Sequence, residues 1–316
     1  HIKDLTFFMK EYSENAILEF ENIDDLRAFD SEFLLNVDSE IIANICDTLK
    51  CEPNEIKDID VINAGLTNVS FSFSVGKEKY VYRHPGGTAG NLINRQTEYF
   101  AQTAAKNIGI DKSFIKMDIS GWKISHFVEN ARNCDFEKSD EQLKIAMVYL
   151  RKLHEVAPDN SVKVFDNVKE GKKLMKIASA TKGHLEKEFT EIIGKIDRLY
   201  DYIKSDAERL GYNLVLCHND TYAPNYLYDK DEKIYLIDWE YAGLNYAAND
   251  IGCILCRYDW TEEQIERYLE YYLGHKLTKD ERRFYYAFIP ISGFYWFCWG
   301  LYKGSVGDDD SFFFLS

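Results

Sequence analysis

Residues 216–241, LCHNDTYAPNYLYDKDEKIYLIDWEY, constrain this chain more than any other stretch. They hold an Asp in a His-Asn-Asp triplet, an Asn five residues later, and a second Asp closing an apolar run. Phosphoryl transfer asks for these residue types in this order. The reaction needs little covalent help from a protein; it needs a positioned nucleophile and neutralised phosphate charge. Asp220 is placed to accept or orient the proton of a substrate hydroxyl. Asn225 and Asp238 are oxygen ligands suited to Mg²⁺, a hard cation. The apolar stretches 214–216 and 234–237 read as strands flanking the loop, with both acids at strand ends. A surface turn with chance carboxylates accounts for the loop motif alone. It does not account for the second acid, which the mechanism requires next.

HNDTYAPN followed by IDWEYAGLNYAANDIG resembles the choline/ethanolamine kinase family, and within it the bacterial LicA-like choline kinases. The resemblance runs from about residue 65 to about residue 303. It implies an α+β, two-lobed protein-kinase-like fold. A small β-rich lobe is expected over 56–128. A larger, mostly helical lobe with the catalytic and choline sites is expected over 129–316. ATP with Mg²⁺ is the implied donor, choline the implied acceptor, and phosphocholine for bacterial cell-surface decoration the implied product. An ethanolamine or other amino-alcohol kinase, an aminoglycoside-type phosphotransferase and a catalytically silent choline-binding module stay open as alternatives.

The upstream residues suit the small lobe. Residues 69–75 alternate apolar with small polar residues, and 79–83 form a second extended run. The turn before them carries Gly65, Thr67 and Asn68. A plain hairpin turn explains it, but family members have a similar G-x-T-N turn, which implies contact with nucleotide phosphates. Arg83 ends the next strand before Gly86-Gly87, where the fork of a guanidinium suits phosphate. Arg95 and Glu98 open an amphipathic helix that stops at Gly109. Glu98 is the candidate partner of Arg83; the alternative is an exposed i,i+3 pair with Arg95. Residues 113–118 and 122–128 form a hairpin across Ser120-Gly121. By resemblance, adenine lies against the backbone from His126 to Val128.

Further on, helical patterning dominates. Leu143, Ala146, Met147, Leu150 and Leu153 mark one helix face, with Ser139 as its N-cap. Residues 169–210 are polar and punctuated by Gly183 and Gly194, which predicts two helices. Residues 261–273 and 278–299 predict two more. The uncharged run 284–302 is long enough for a membrane span, but its Pro290, Gly293, Gly300 and heavy aromatic load fit a buried, pocket-lining helix better. Trp296, Trp299 and Tyr302 recur every third residue and are predicted to share a face. Taken alone they read as aromatic core. The resemblance instead implies a cage for a quaternary ammonium, closed by Tyr241, Glu240 and Asp220. One residue departs from that pattern. Arg257 stands where eukaryotic choline kinases have an acid, and a guanidinium there does not favour a cation. Asp250 is read as a brace for the catalytic loop.

A net charge of -15 argues against nucleic-acid binding and favours small cationic substrates. Seven cysteines without framework spacing fit a reducing cytoplasm; Cys253 and Cys256 read as core residues rather than half of a zinc site. Residues 1–55 lie outside the kinase pattern. The run 20–26 looks like the tail of an upstream nucleotidyltransferase, as in kinases fused behind a phosphocholine cytidylyltransferase, and 38–50 is expected to be helical.

Overall fold

The computed structural model describes residues 39–62, 68–85, 93–182 and 185–306. The 20–26 run, the turn residues Gly65 and Thr67, and Gly86-Gly87 lie outside the described residues. Five antiparallel strands form the first sheet: β1 (Ile56–Ile62), β2 (Asn68–Val75), β3 (Glu78–Pro85), β4 (Phe114–Met117) and β5 (Lys123–His126), in the order β1-β2-β3-β5-β4. Gly76, at φ 64°, turns β2 into β3 in a conformation that glycine adopts without a steric cost. Helix α1 (Glu40–Leu49) starts where the Ser39 side chain accepts the Ile42 N–H. It seats Ile45 on Ile56, Phe73, Tyr82, Trp122 and Ile124, the core of this lobe.

Between β3 and β4 runs α2 (Arg95–Asn107), capped by the Asn94 side chain on the Thr97 N–H. Its inner face is unusual for a helix, because Glu98 and Gln102 are buried on it. Both face polar partners described below.

The second lobe holds α3 (Asp140–His154), α4 (Asn167–Lys182), α5 (Leu185–Glu188), α6 (Thr190–Leu210), α7 (Ala247–Leu255), α8 (Glu262–Leu273) and α9 (Lys279–Ser305). Ser139 caps α3 as its sequence predicts. Two short sheets lie among the helices: β7 (Val215–Cys217) with β10 (Gly243–Asn245), and β6 (Arg132–Asn133) with β8 (Tyr226–Tyr228) and β9 (Ile234–Leu236).

Two helix boundaries differ from expectation. Gly194 lies inside α6 and does not break it. A helical glycine costs only about 1 kcal/mol, and burial of Ile196, Ile203 and Ala207 offsets that. Helix α9 runs on to Ser305 through Pro290 and Gly300. An interior proline removes one backbone hydrogen bond; Phe288, Ile291, Phe294, Tyr295 and Cys298, all buried, hold the helix together across it. Helices α7 and α9 approach so closely that a Cβ on Gly252 would lie 2.6 Å from the Phe288 carbonyl oxygen and 2.7 Å from Ser292 Oγ. Among the described residues, no helix is long and apolar enough to cross a membrane.

Candidate active site

Strand β7 ends at Cys217, and the loop that follows is held by one carboxylate. Asp250, buried on α7, accepts the His218 N–H at Oδ2 (2.8 Å) and the Asn219 N–H at Oδ1 (2.7 Å). The Thr221 hydroxyl donates to the Asp250 carbonyl oxygen. This is the bracing role that the sequence predicts. Asn219 sits at φ 65°, a left-handed conformation that Asn tolerates better than most residues. Its Oδ1 accepts from Asn245 (3.0 Å) and Asn249 (2.8 Å), and its Nδ2 donates to the Tyr241 carbonyl (3.0 Å). The His218 ring accepts the Asp220 N–H at Nδ1 and donates from Nε2 to the Ile237 carbonyl, 2.9 Å away. Burial pushes its pKa down, which keeps this ring neutral. His218 thus ties the loop of Asp220 to the strand end that carries Asp238. Asn245 and Asn249 escape a reading based on motif spacing, because their partner Asn219 is distant in sequence.

Asp220 has two unlike oxygens. Oδ2 accepts from Asn225 Nδ2 at 2.9 Å, whereas Oδ1 is buried and has no hydrogen-bond partner. Burial raises its pKa to about 7; Asp238 and Asp250 push the same way, and Arg257 and Asn225 oppose them. A carboxylate that titrates near neutrality, with one oxygen open, suits a base for a hydroxyl proton. Asn225 spends Nδ2 on the Asp220 side chain and, at 2.8 Å, on its carbonyl. That leaves the amide oxygen to ligate a cation.

Asp238 follows β9 at φ 64°, and its side chain is 38% exposed. Backbone strain of this kind gathers at functional sites. Its Oδ1 lies 3.5 Å from Arg83 Nη1. Arg83 is buried on β3, and its Nη2 pairs with Glu98. Its Nε and Nη1 are buried without hydrogen-bond partners. Two donors without a hydrogen bond, on a fixed cation whose Nη1 already faces a carboxylate, fit an anionic ligand such as a phosphate. Glu98 meets Arg95 as well, at 2.6 Å, in an i,i+3 pair that is part-buried rather than exposed. Burial works to raise the Glu98 pKa, but Arg83, Lys123 and Arg95 outweigh it and hold the carboxyl below its usual range. Lys123 is a buried cation that the sequence does not signal. Strand register sets it opposite Arg83, and its Nζ donates to Gln102 Oε1 at 3.1 Å.

Glu98→Ala is therefore expected to destabilise the fold by about 3–5 kcal/mol, because it strands buried cations. Urea unfolding would measure this, and a loss below about 1 kcal/mol would show the pair to be structurally idle.

The hinge qualifies one expectation. The His126 N–H donates to the Ser113 carbonyl and the Phe127 N–H to the Lys79 carbonyl, each at 2.8 Å. Those donors belong to the sheet, so the hydrogen bonds expected of the hinge fall to carbonyl groups and to Val128. A cavity of about 280 Å³ touches His126, Phe127 and Val128 together with Lys112, Asp229 and Tyr235. Asp220, Asn225 and Asp238 do not line it. Asn68 opens β2, in register with Pro85.

The aromatic residues partly converge. Tyr241 and Trp296 have ring centroids 5.8 Å apart, and Trp296 and Trp299 5.9 Å apart. Trp299 Nε1 donates to the Tyr241 hydroxyl at 3.1 Å. All three are buried. Tyr302 is half-buried, and among the described residues it makes no ring contact with them. At 3.6 residues per turn, each three-residue step lags by about 60°, so by the second step the side chain has left the face. Glu240 is buried, and its charge is felt at Arg83, Tyr241 and Tyr295. The misfit Arg257 does face the aromatics. Its guanidinium lies 4.7 Å from the Trp296 ring centre and 5.1 Å from that of Tyr222.

A family model described as choline/ethanolamine kinase matches residues 59–313. The chain belongs to this family. Protein LicA of Haemophilus influenzae is 28% identical over 258 residues, spanning 78% of this kinase and 73% of that protein. The choline kinase LicA of Streptococcus pneumoniae superimposes with a TM-score of 0.67 at 20% identity, over 85% of this kinase and 92% of that chain. An ethanolamine kinase of Plasmodium vivax gives 0.70 at 18% identity, over 96% and 91%. The kinase shares with them a two-lobed, protein-kinase-like fold.

Proposed function

We propose that this kinase transfers the γ-phosphoryl group of ATP to the hydroxyl of choline, giving phosphocholine. The observation that carries the reading is the buried, unpartnered Oδ1 of Asp220 beside an Asn225 whose amide oxygen is left over. Asp220 takes the hydroxyl proton. Asn225 and Asp238 hold Mg²⁺, which when bound neutralises phosphate charge. The buried guanidinium of Arg83 takes a phosphate oxygen, and Gly65, Thr67 and Asn68 are further candidates for phosphate contact. Adenine rests against the hinge between His126 and Val128. Tyr241, Trp296, Trp299 and Glu240 form the wall nearest the substrate cation. The buried rings of Tyr241, Trp296 and Trp299 support choline, because an aromatic wall suits a quaternary ammonium. Arg257 favours a second reading, ethanolamine, because a guanidinium over Trp296 leaves less room for three methyl groups.

The test is ADP release from Mg²⁺-ATP with choline, ethanolamine and an aminoglycoside side by side. Choline is expected to drive release at the highest kcat/KM. A preference for ethanolamine would install the second reading. Nucleotide binding without turnover of any amino alcohol would overturn both.

A further inference from the structure

We infer that Arg257 is a tethered cation occupying the aromatic seat that a substrate ammonium must take, and that it thereby sets the affinity of this kinase for cationic alcohols. The inference rests on reading the site as that of an amino-alcohol kinase. Three features support it. The guanidinium is held between two rings, with centroid distances of 4.7 Å to Trp296 and 5.1 Å to Tyr222. Both are within cation–π range, and the effect strengthens when the cation is desolvated. Tyr222 also belongs to the loop of Asp220, its N–H donating to the Asp220 carbonyl at 3.0 Å, so this seat borders that loop. Finally, Trp296, Trp299 and Tyr241 are buried, and Trp299 carries a cation of its own, with Lys303 Nζ 5.4 Å from its ring centre. The described rings thus offer no open face to an arriving ammonium group.

Arg257 comes directly after the C-cap of α7, Cys256, in a turn where its N–H bonds to the Ile254 carbonyl. Its backbone is anchored there, so vacating the seat is a matter of side-chain rotamers. A substrate cation and the guanidinium then compete for one place. Competition by a tethered group lowers the apparent affinity by the fraction of molecules in which the seat is free. An acid at this position would attract every cation alike.

The experiment compares wild type, Arg257→Gln and Arg257→Lys, each checked by circular dichroism and thermal melting. ADP release gives KM and kcat for choline and ethanolamine, and calorimetry with choline alone gives Kd. Arg257→Gln is expected to lower both the choline KM and the choline Kd, by about tenfold. Arg257→Lys restores a tethered cation and is expected to return both toward wild type. A merely structural arginine would instead raise KM when replaced, or change only kcat. A folded Arg257→Gln with unchanged or raised choline Kd, beside a wild type that turns choline over, overturns the proposal. If wild type turns over no amino alcohol, the phosphotransfer reading fails first and takes this one with it. Should Arg257→Gln not fold, Arg257→Met keeps an apolar stem on Trp296 and is read in the same way.

Discussion

Asp220→Asn is expected to lower kcat by about 10³-fold, the usual worth of a positioned general base, while nucleotide binding persists. The amide keeps the shape of the carboxylate and can still accept from Asn225. What it loses is the ability to take a proton at Oδ1. The same substitution should stabilise the metal-free protein. The folded-state pKa of Asp220 lies near 7, above its ordinary 3.8. The native state therefore binds the extra proton more tightly than the unfolded chain. Stability contributed by this group is present at low pH and is lost as pH rises from about 4 to about 7. Asparagine removes that slope. At pH 8 without Mg²⁺, the variant should melt about 2–4 °C higher; this allows for a site that is partly open to solvent. Turnover within tenfold of wild type would end the base assignment, and a lower melting temperature would end the account of its burial.

Asp238→Asn should cost about 10³-fold in kcat/KM, since a metal-held phosphate is worth several kcal/mol in the transition state. Asparagine is the informative choice. It tolerates the φ of 64° at this position, so the loss is of charge rather than of backbone shape. The variant should need more Mg²⁺ to reach half-maximal rate, and ADP release across a Mg²⁺ series measures this. An unchanged Mg²⁺ midpoint would remove Asp238 from the metal site and leave it as a partner of Arg83.

Much of the catalytic loop is legible from sequence because its members are close along the chain. Asp220, Asn225 and Asp238 fall within one loop and hairpin, where spacing alone states their order. Arg83 and Glu98 are harder, but a strand end followed by an amphipathic helix still allows only a few pairings. Lys123 could not be found in this way. Its place beside Arg83 depends on β3 pairing with β5 across the intervening α2 and β4, and no local pattern records that register. Tyr302 shows what spacing leaves open: a step of three approximates the helical repeat once and drifts over two, so which rings touch is decided by packing. Arg257 stands out as a misfit in sequence, yet the direction of a long side chain on a turn is decided by packing. At the hinge, strand pairing that no local pattern records decides that the sheet claims the His126 and Phe127 N–H groups.

The meeting of α7 and α9 bears on how a kinase of this kind could change substrate over generations. With the Phe288 carbonyl oxygen 2.6 Å from where a Cβ would stand, position 252 is closed to every residue but glycine. Asn249 and Asp250 are equally bound, to Ser292 and to the catalytic loop. Inheritable variation is thus channelled past this buried turn to the end of the helix, where Arg257 is only half-buried and its neighbours Tyr222 and Trp296 can be exchanged in step with it. A lineage could acquire a new acceptor there while the residues two turns earlier stayed untouched.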